Sequence, residues 1–329
     1  MKILITGGCG AIGSILVEYL LTKYSKIEDS SSTLSDLIIN LDAQTYSANN
    51  YHTQFLKLPN YKYIKGNISD GDLVDFILET YNPNIIIHLA AETHVDNSFE
   101  NSIKFTETNV IGTHTLLECA KKYGKLDKFI HMSTDEVYGS VTNDEVCKEN
   151  SMFAPSNPYS ATKAAAEMLC HAYIKSFKLP IIIIRCNNVI SPFQHKEKLI
   201  PHVVTQISKD KKIHIHGLGL SKRTFIDAYD IANAINVIIN KGKNEEIYNI
   251  GTDQEYTVLE VVEKIMKIMK PNEKFDGRII YVPDRSYQDY RYSIDCTKLQ
   301  ELGWKPEISF EESIKLVIYS FTSFTSFLT

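Results

Sequence analysis

The sequence predicts an α/β fold: a doubly wound parallel sheet with a second, smaller α/β lobe interwoven with it in sequence. Two observations carry this. Continuous apolar runs, Ile3–Ile5, Leu37–Leu41, Ile85–Leu89, Phe129–Met132 and Ile181–Ile184, alternate with amphipathic stretches, Ile12–Leu21, Leu73–Leu78, Val110–Ala120 and Ala161–Ile174. Runs that are apolar throughout belong to strands buried on both faces, and repeated strand–helix alternation builds right-handed parallel βαβ units. The pattern then changes after Cys186, where prolines and mixed polarity replace the regular alternation.

Taken in order, the first strand breaks at Gly7 and the first helix follows. Glu28–Ser35 is a polar, serine-rich insert, expected to form a mobile surface loop before the second strand. A third strand carries Tyr61 and Lys65 and leads into Asn67-Ile68. The fourth ends in Leu89-Ala90-Ala91, and the fifth opens onto Ser133–Gly139. Asn187–His202 reads as a loop entering a short helix. Ile213–Ile215 and Ile279–Val282 read as strands, and Tyr229–Ile239, Val258–Met269 and Ser309–Phe321 as helices. A strand near Ile247 is expected to return to the main sheet. Residues 1–186, rejoined by 224–250, are therefore assigned to the first unit, and 187–223 with 251–329 to the lobe.

Composition bounds the function. The chain has 329 residues, 43% of them hydrophobic and 23% charged, with a net charge of −5. That excludes disorder as the main state and argues against a nucleic-acid partner bound by bulk charge. The six cysteines are scattered, with no metal spacing, so free thiols, a cytoplasmic setting and no metal are expected. The opening run Met1–Gly7 is too short for a leader, and no run reaches the ~18–20 apolar residues of a membrane span. The Phe/Ser/Thr tail, Phe321 to Leu328, reads as a packed or frayed terminus rather than a membrane-adhering end.

Gly7-Gly8-Cys9-Gly10-Ala11-Ile12-Gly13 follows the first strand and opens the first helix. Glycines at 7, 10 and 13 allow a tight turn and close approach of backbone amides to a pyrophosphate at a helix N-terminus, the signature of a Rossmann-type dinucleotide site. Asp42 ends the second strand, where a carboxylate accepts the ribose hydroxyls and repels a 2′-phosphate, so NAD is favoured over NADP. The polar insert accounts for the long spacing from Gly13. Asn67 and Ile68 fall where an adenine edge would lie. Leu89, Ala90 and Ala91 let a cofactor pass close to the backbone.

Tyr159 and Lys163 lie four apart on a helix, hence on one face, where an ammonium favours a phenolate able to take a hydroxyl proton. The spacing is weak alone, since Tyr19/Lys23 and Tyr61/Lys65 share it; only Tyr159/Lys163 follows the fifth strand and a proline-punctuated loop. Ser133-Thr134-Asp135-Glu136 sets two carboxyl groups at that strand's end, and a pair with one member protonated supplies an acid and a base. By themselves these two residues read equally well as a solvated loop. His214 and His216 share a strand face and lack a third ligand nearby, so a solvated face is expected.

GGCGAIGS, HLAAETHVDNS, STDEVYG, PYSATK, KEKLIP, YNIG and PDR occur in the order found in nucleotide-sugar 4,6-dehydratases, which are extended short-chain dehydrogenases. The sequence resembles the dTDP-glucose 4,6-dehydratase branch over nearly its whole length. The resemblance implies a lyase with bound NAD in which Tyr159 takes the C4 hydroxyl proton, Thr134 holds the C4 oxygen, and Lys163 holds the ribose and depresses the Tyr159 pKa. It implies Glu136 as base at C5 and Asp135 as acid at C6. Thr93 would lie near the hexose, and Asn188, Lys198, Leu199 and Asn249 with the nucleotide sugar. Arg223 and Arg285 would clamp the pyrophosphate. A homodimer formed through the helices Phe105–Ala120 and Ala161–Phe177 is also implied.

The sequence departs from the family pattern at Ala11, Asn67, Ile190-Ser191, Lys196 and Ser286-Tyr287-Gln288. The changes at Ile190 and Ser191 suggest an altered C2 substituent, so dTDP-glucose, UDP-glucose and UDP-GlcNAc are all candidate substrates. An epimerase or decarboxylase of the same fold would need only Thr134, Tyr159 and Lys163. A nucleotide-sensing module would need none of them.

Overall fold

Isoleucine-rich segments form the strands because branched side chains pack well on a pleated surface covered from both sides. The computed structural model describes residues 1–24, 36–142, 144–284 and 287–323. The expected loop Glu28–Ser35, Arg285 and the end of the tail from 324 lie outside the described residues. The strands are β1 Lys2–Thr6, β2 Leu37–Asp42, β3 Tyr61–Lys65, β4 Ile85–His88, β5 Lys128–Thr134, β6 Ile181–Cys186, β7 Asn188–Ile190, β8 Ile213–His216, β9 Lys222–Asp227, β10 Ile247–Ile250, β11 Glu255–Thr257 and β12 Ile279–Val282. The α-helices are α1 Ala11–Tyr24, α2 Gly71–Tyr81, α3 Val95–Glu100, α4 Ser102–Phe105, α5 Thr113–Tyr123, α6 Pro158–Phe177, α7 Leu199–Ser208, α8 Ala228–Lys241, α9 Val258–Met269, α10 Thr297–Gln300 and α11 Phe310–Ser323.

Seven strands make one parallel sheet in the order β10-β6-β5-β4-β1-β2-β3. Its side chains alternate between two apolar layers. Ile3, Ile5, Ile85 and Ile87 pack under α1 and α8, while Leu4, Ile39 and Ile86 pack under α2, α5 and α6. A third core joins α7, α9 and α11 through Val203, Val204, Val261, Ile265 and Ile314. Among the described residues two small sheets, β11-β9-β7 and β12-β8, accompany the main sheet.

Three details differ from the sequence reading. First, the return to the main sheet is made by α8 and β10; β9 (222–227), four of its six residues assigned to the first unit, pairs instead with β7 and β11. Second, Asn188–Ile190, read as loop, is strand β7 because its backbone groups pair with Phe225–Asp227. Third, the helix expected from Val110 begins earlier and passes through a π-helical stretch, Thr106–Gly112. There Asn109 turns inward, accepting from the Glu92 amide at 2.8 Å and donating to Thr162 Oγ1 at 3.0 Å. Apolar spacing carries no signature of such a turn, which commonly marks a functional site.

One buried ion pair braces the sheet. Arg185 of β6 donates from Nη2 to Glu167 of α6 at 2.7 Å and from Nη1 to Tyr138 Oη at 2.7 Å. Both partners of the pair are essentially inaccessible to water. Replacing Arg185 by methionine leaves the Glu167 carboxylate buried without its counter-charge, so a loss of about 3–5 kcal/mol is expected by denaturant unfolding. A loss below about 1 kcal/mol would contradict this reading of the pair.

Candidate active site

The parallel strands direct their carboxyl ends to one edge, and a cavity of about 380 Å³ opens there. It lies where the strand order reverses, between β1 and β4, the crevice that open α/β sheets leave for ligands. Gly7 and Gly13 make its floor possible. Gly7 has a φ of 77°, and a Cβ on it would sit 2.7 Å from the Ala90 nitrogen; a Cβ on Gly13 would sit 2.2 Å from the Gly7 carbonyl oxygen. Side chains there would force the start of α1 away from β1 and β4.

Gly7, Gly10, Ala11, Ile12 and Gly13 all line the cavity, as do Asp42, Asn67, Ile68, Leu89, Ala90 and Ala91. Asp42 is held in place by the Cys9 amide at 2.8 Å and the Gln44 amide at 2.7 Å. A glycine cradle at a helix N-terminus with a fixed carboxylate beyond it suits a pyrophosphate and a ribose diol, so these residues fit a dinucleotide.

The second half of the cavity is built by β5, α6 and the lobe. Thr134 ends β5 and its Oγ1 accepts from the Glu136 amide at 3.3 Å, starting a single 3₁₀ turn, Asp135–Tyr138. That turn sends Asp135 and Glu136 into the cavity. The helix α6 starts at Asn157, whose Oδ1 accepts from Ser160 N at 2.9 Å while Ser160 Oγ accepts from Asn157 N at 3.2 Å. Pro158 fits the first helical position because no donor is needed there. The same Asn157 donates from Nδ2 to Glu136 Oε2 at 3.1 Å, so the helix cap also fixes a carboxylate. Tyr159 and Lys163, one turn apart, are both buried and both line the cavity.

Burial dominates the electrostatics. It pushes the Asp135 carboxyl up to about 7; the Glu136 charge adds to this, while donation from Asn187 at 2.7 Å opposes it. Glu136 is also raised by burial, against the Asn157 hydrogen bond and the charges of Arg223 and Lys198. Lys163 is lowered to about 8, again by burial, and donates to the Met132 carbonyl at 2.6 Å. The expectation that Lys163 depresses the Tyr159 phenol is not met in the protein by itself. Burial and the nearby Glu136 charge hold Tyr159 well above its usual range, and the opposing influence is the Thr134 hydrogen bond.

Thr93, Asn188, Lys198 and Leu199 line the cavity with Thr134, Asp135, Glu136, Tyr159 and Lys163. Lys198 Nζ donates to the Thr93 carbonyl at 2.8 Å, bridging the sheet edge to the lobe. Arg223 lines a second, adjoining cavity of about 90 Å³ with Glu136, Asn157 and Asn188. Asn249 lines neither and is fully buried. Its Oδ1 accepts from Tyr138 Oη at 2.8 Å and its Nδ2 donates to the Asp295 carbonyl at 3.0 Å, so it supports the Asp135–Tyr138 turn from behind. Arg285 lies outside the described residues. Tyr19 and Lys23 touch each other on an exposed face of α1, away from the cavity, and His214 and His216 are exposed on β8. Among the described residues no group of three or more His, Cys, Asp or Glu side chains is arranged to hold a metal, and no helix is long and apolar enough to cross a membrane.

Sequence reasoning missed Asn157, Asn187, Asp289 and Tyr292, all buried around the acid pair. The first was recoverable, since Asn-Pro before a helical stretch is a capping signal. The others carry no local signal.

A family model described as GDP-mannose 4,6 dehydratase matches residues 4–317. A dTDP-D-glucose 4,6-dehydratase of Dictyostelium discoideum is 43% identical, covering 95% of this chain and 80% of the relative. An Arabidopsis thaliana protein named as a trifunctional UDP-glucose 4,6-dehydratase, 3,5-epimerase and reductase is 41% identical over 98% of this chain, which spans 47% of that relative. The crystal structure of a Bacillus anthracis dTDP-glucose 4,6-dehydratase in complex with NAD superposes with a TM-score of 0.88 at 39% identity, covering 98% of this chain and 97% of that one. The sheet, the glycine cradle and the Thr-Asp-Glu turn thus sit in a chain that belongs to the GDP-mannose 4,6 dehydratase family, among its nucleotide-sugar 4,6-dehydratases.

Proposed function

We propose that the chain is an NAD-dependent NDP-glucose 4,6-dehydratase, a hydro-lyase yielding the NDP-4-keto-6-deoxy sugar. The observation that carries it is the Asp135–Glu136 pair, Asp135 buried and Glu136 half-buried, facing the same cavity as Tyr159 and Lys163. A 4-epimerase or decarboxylase of this fold has no task for two carboxyl groups there. Residues 1–186 with 224–250 are the dinucleotide unit in this reading, apart from the first residues of that second segment, which lie in β9. Residues 187–223 and 251–329 select the sugar nucleotide.

The mechanism follows from the side chains. Gly7, Gly10, Ala11, Ile12 and Gly13 hold the pyrophosphate, Asp42 the ribose, and Asn67, Ile68, Leu89, Ala90 and Ala91 flank the rest. Bound NAD⁺ supplies the acceptor for the C4 hydride, which is returned at C6. Tyr159 takes the C4 hydroxyl proton while Thr134 holds the C4 oxygen and Lys163 holds the ribose. The 4-ketone acidifies C5, whose proton passes to Glu136. Asp135, protonated below about 7, gives its proton to the C6 hydroxyl, which leaves as water. Each acid–base step is worth roughly 10²–10⁴-fold. Lys198 and Arg223 face the substrate's phosphates, and Thr93, Asn188 and Leu199 the sugar and nucleoside.

The substrate reading can be narrowed. Ile190 is buried in β7 and Ser191 Oγ donates to the Ala11 carbonyl at 3.0 Å, so neither residue lines the cavity. The changes that suggested an N-acetyl group at C2 therefore lie away from the sugar, which favours a C2 hydroxyl. With dTDP-glucose, UDP-glucose and UDP-GlcNAc offered in parallel, the two glucose nucleotides are expected to turn over and UDP-GlcNAc to fall at least about 10-fold behind, one contact's worth of discrimination. Preference for UDP-GlcNAc would overturn the assignment. A homodimer is part of the proposal: Ile103, Ile111 and Met168 expose half or more of their surface along the helical stretch through α4 and α5 and on α6, the elements expected to pair. Six free cysteines accord with a cytoplasmic setting.

A further inference from the structure

We infer that Tyr292 and Asp289 form a positioning relay behind Glu136, with Asp289 turning the tyrosine oxygen toward Glu136 as an acceptor and so making that carboxylate a stronger base for the C5 proton. The inference rests on the reading of Glu136 as the base.

The two residues belong to the segment after β12, far from Glu136 in sequence, and both are buried at 4% exposure. Tyr292 Oη lies 2.5 Å from Asp289 Oδ2 and 3.4 Å from Glu136 Oε2. Ser156 Oγ also donates to Asp289 Oδ2. Asp289 Oδ1 is buried without a hydrogen-bond partner among the described residues and borders the small cavity shared with Glu136 and Arg223. Arg223 fixes the assembly by donating to the Asp289 carbonyl at 3.0 Å and stacking 4.6 Å from the Tyr292 ring centre.

A phenol carries one proton, and the shorter contact directs it toward Asp289 Oδ2. The lone pairs of Tyr292 Oη then face Glu136. They repel an ionised Glu136 oxygen and accept a hydrogen bond from a protonated one, so the arrangement stabilises the form produced when Glu136 takes a proton. The step balances. The C5–H bond breaks, its proton goes to Glu136, its electron pair forms the C5–C6 double bond as the C6–O bond breaks, and Asp135 supplies the proton that makes the leaving group water. Glu136 is faced by Asp135 on its own turn, Tyr159 of α6, Lys198 before α7, Arg223 of β9, and Asp289 and Tyr292. The cations Lys198 and Arg223 favour its ionised form, and Asp289 opposes them.

The test uses the NAD-loaded enzyme with its sugar nucleotide and the variants Asp289→Asn, Tyr292→Phe and Asp289→Glu. Asparagine weakens the relay, because a neutral amide oxygen replaces the charged acceptor of the Tyr292 and Ser156 hydroxyls, and the Asp289 charge that favours protonated Glu136 is lost. Both Asp289→Asn and Tyr292→Phe are expected to lower kcat roughly 10–100-fold with KM changed less than about 3-fold. They should also move the acid limb of the pH profile downward by about one pH unit, while the reduced nicotinamide still forms on mixing. Asp289→Glu should restore part of both. An unmoved acid limb, or a loss confined to KM and thermal stability, would overturn the relay. Glu136→Gln, run alongside, separates the two readings: full turnover in that variant removes the base assignment, whereas its inactivation with an unmoved limb in Asp289→Asn removes the relay alone.

Discussion

Asp135→Asn is expected to halt the reaction after sugar oxidation, lowering kcat by roughly 10²–10⁴-fold, the worth of one general acid. The substitution keeps the size of the side chain and its ability to accept from Asn187, which donates to Asp135 at 2.7 Å. It removes only the acidic proton. Burial holds the Asp135 carboxyl up to about 7, so the acid form is present below that pH and is lost as the pH rises through it. The wild-type rate should therefore fall on the alkaline side of about 7, and the residual rate of the variant should lose that limb. Tyr159 is untouched, so mixing with substrate should still yield reduced nicotinamide and a trappable 4-ketone. Undiminished turnover, or loss of the oxidation step as well, would contradict the role assigned to Asp135.

Tyr159→Phe is expected to act one step earlier. The ring stays in its buried site on α6, where Phe105 meets it edge-on at 6.3 Å between centres, so packing is retained while the hydroxyl that takes the C4 proton is lost. Turnover should drop by roughly 10²–10⁴-fold with no reduced nicotinamide formed on mixing. The two variants thus fail at different points, and stopped-flow absorbance of the nicotinamide separates them. Formation of reduced nicotinamide at the wild-type rate in Tyr159→Phe would show that another group takes the proton. Sugar-nucleotide affinity should be nearly unchanged, because Lys198 and Arg223 remain.

Much of this architecture was legible in the sequence for a simple physical reason. Runs such as Ile85–Ile87 and Ile181–Ile184 are buried on both faces and so are apolar throughout. Gly7 and Gly13 are constrained by contacts only a glycine survives. Local chemistry of this kind writes itself into local sequence. The Asp135–Glu136 turn was picked out only through the family resemblance, since the two residues alone read equally well as a solvated loop. In the structure Asp135, Val137 and Tyr138 of the turn are buried and Glu136 is half-buried, which speaks against a solvated loop.

What stayed hidden depends on contacts distant in sequence. Asn249 was expected at the substrate; instead it holds Tyr138, more than a hundred positions away, and through it the Arg185–Glu167 pair. Tyr292 reaches Glu136 across 156 positions, and no periodicity encodes such a meeting. The π-helical stretch at Thr106–Gly112 was missed because Asn109 satisfies backbone groups of a neighbouring loop, a choice made by tertiary structure rather than helix propensity.

The central claim is that one hydride leaves C4 and returns at C6, with elimination of water between the two events. The most direct measurement supplies the NDP-glucose substrate deuterated at C4, in ordinary water, and reads the product by NMR. The account predicts deuterium in the C6 methyl group and a solvent-derived proton at C5. Deuterium retained at C4, with C6 still bearing its hydroxyl, would contradict it.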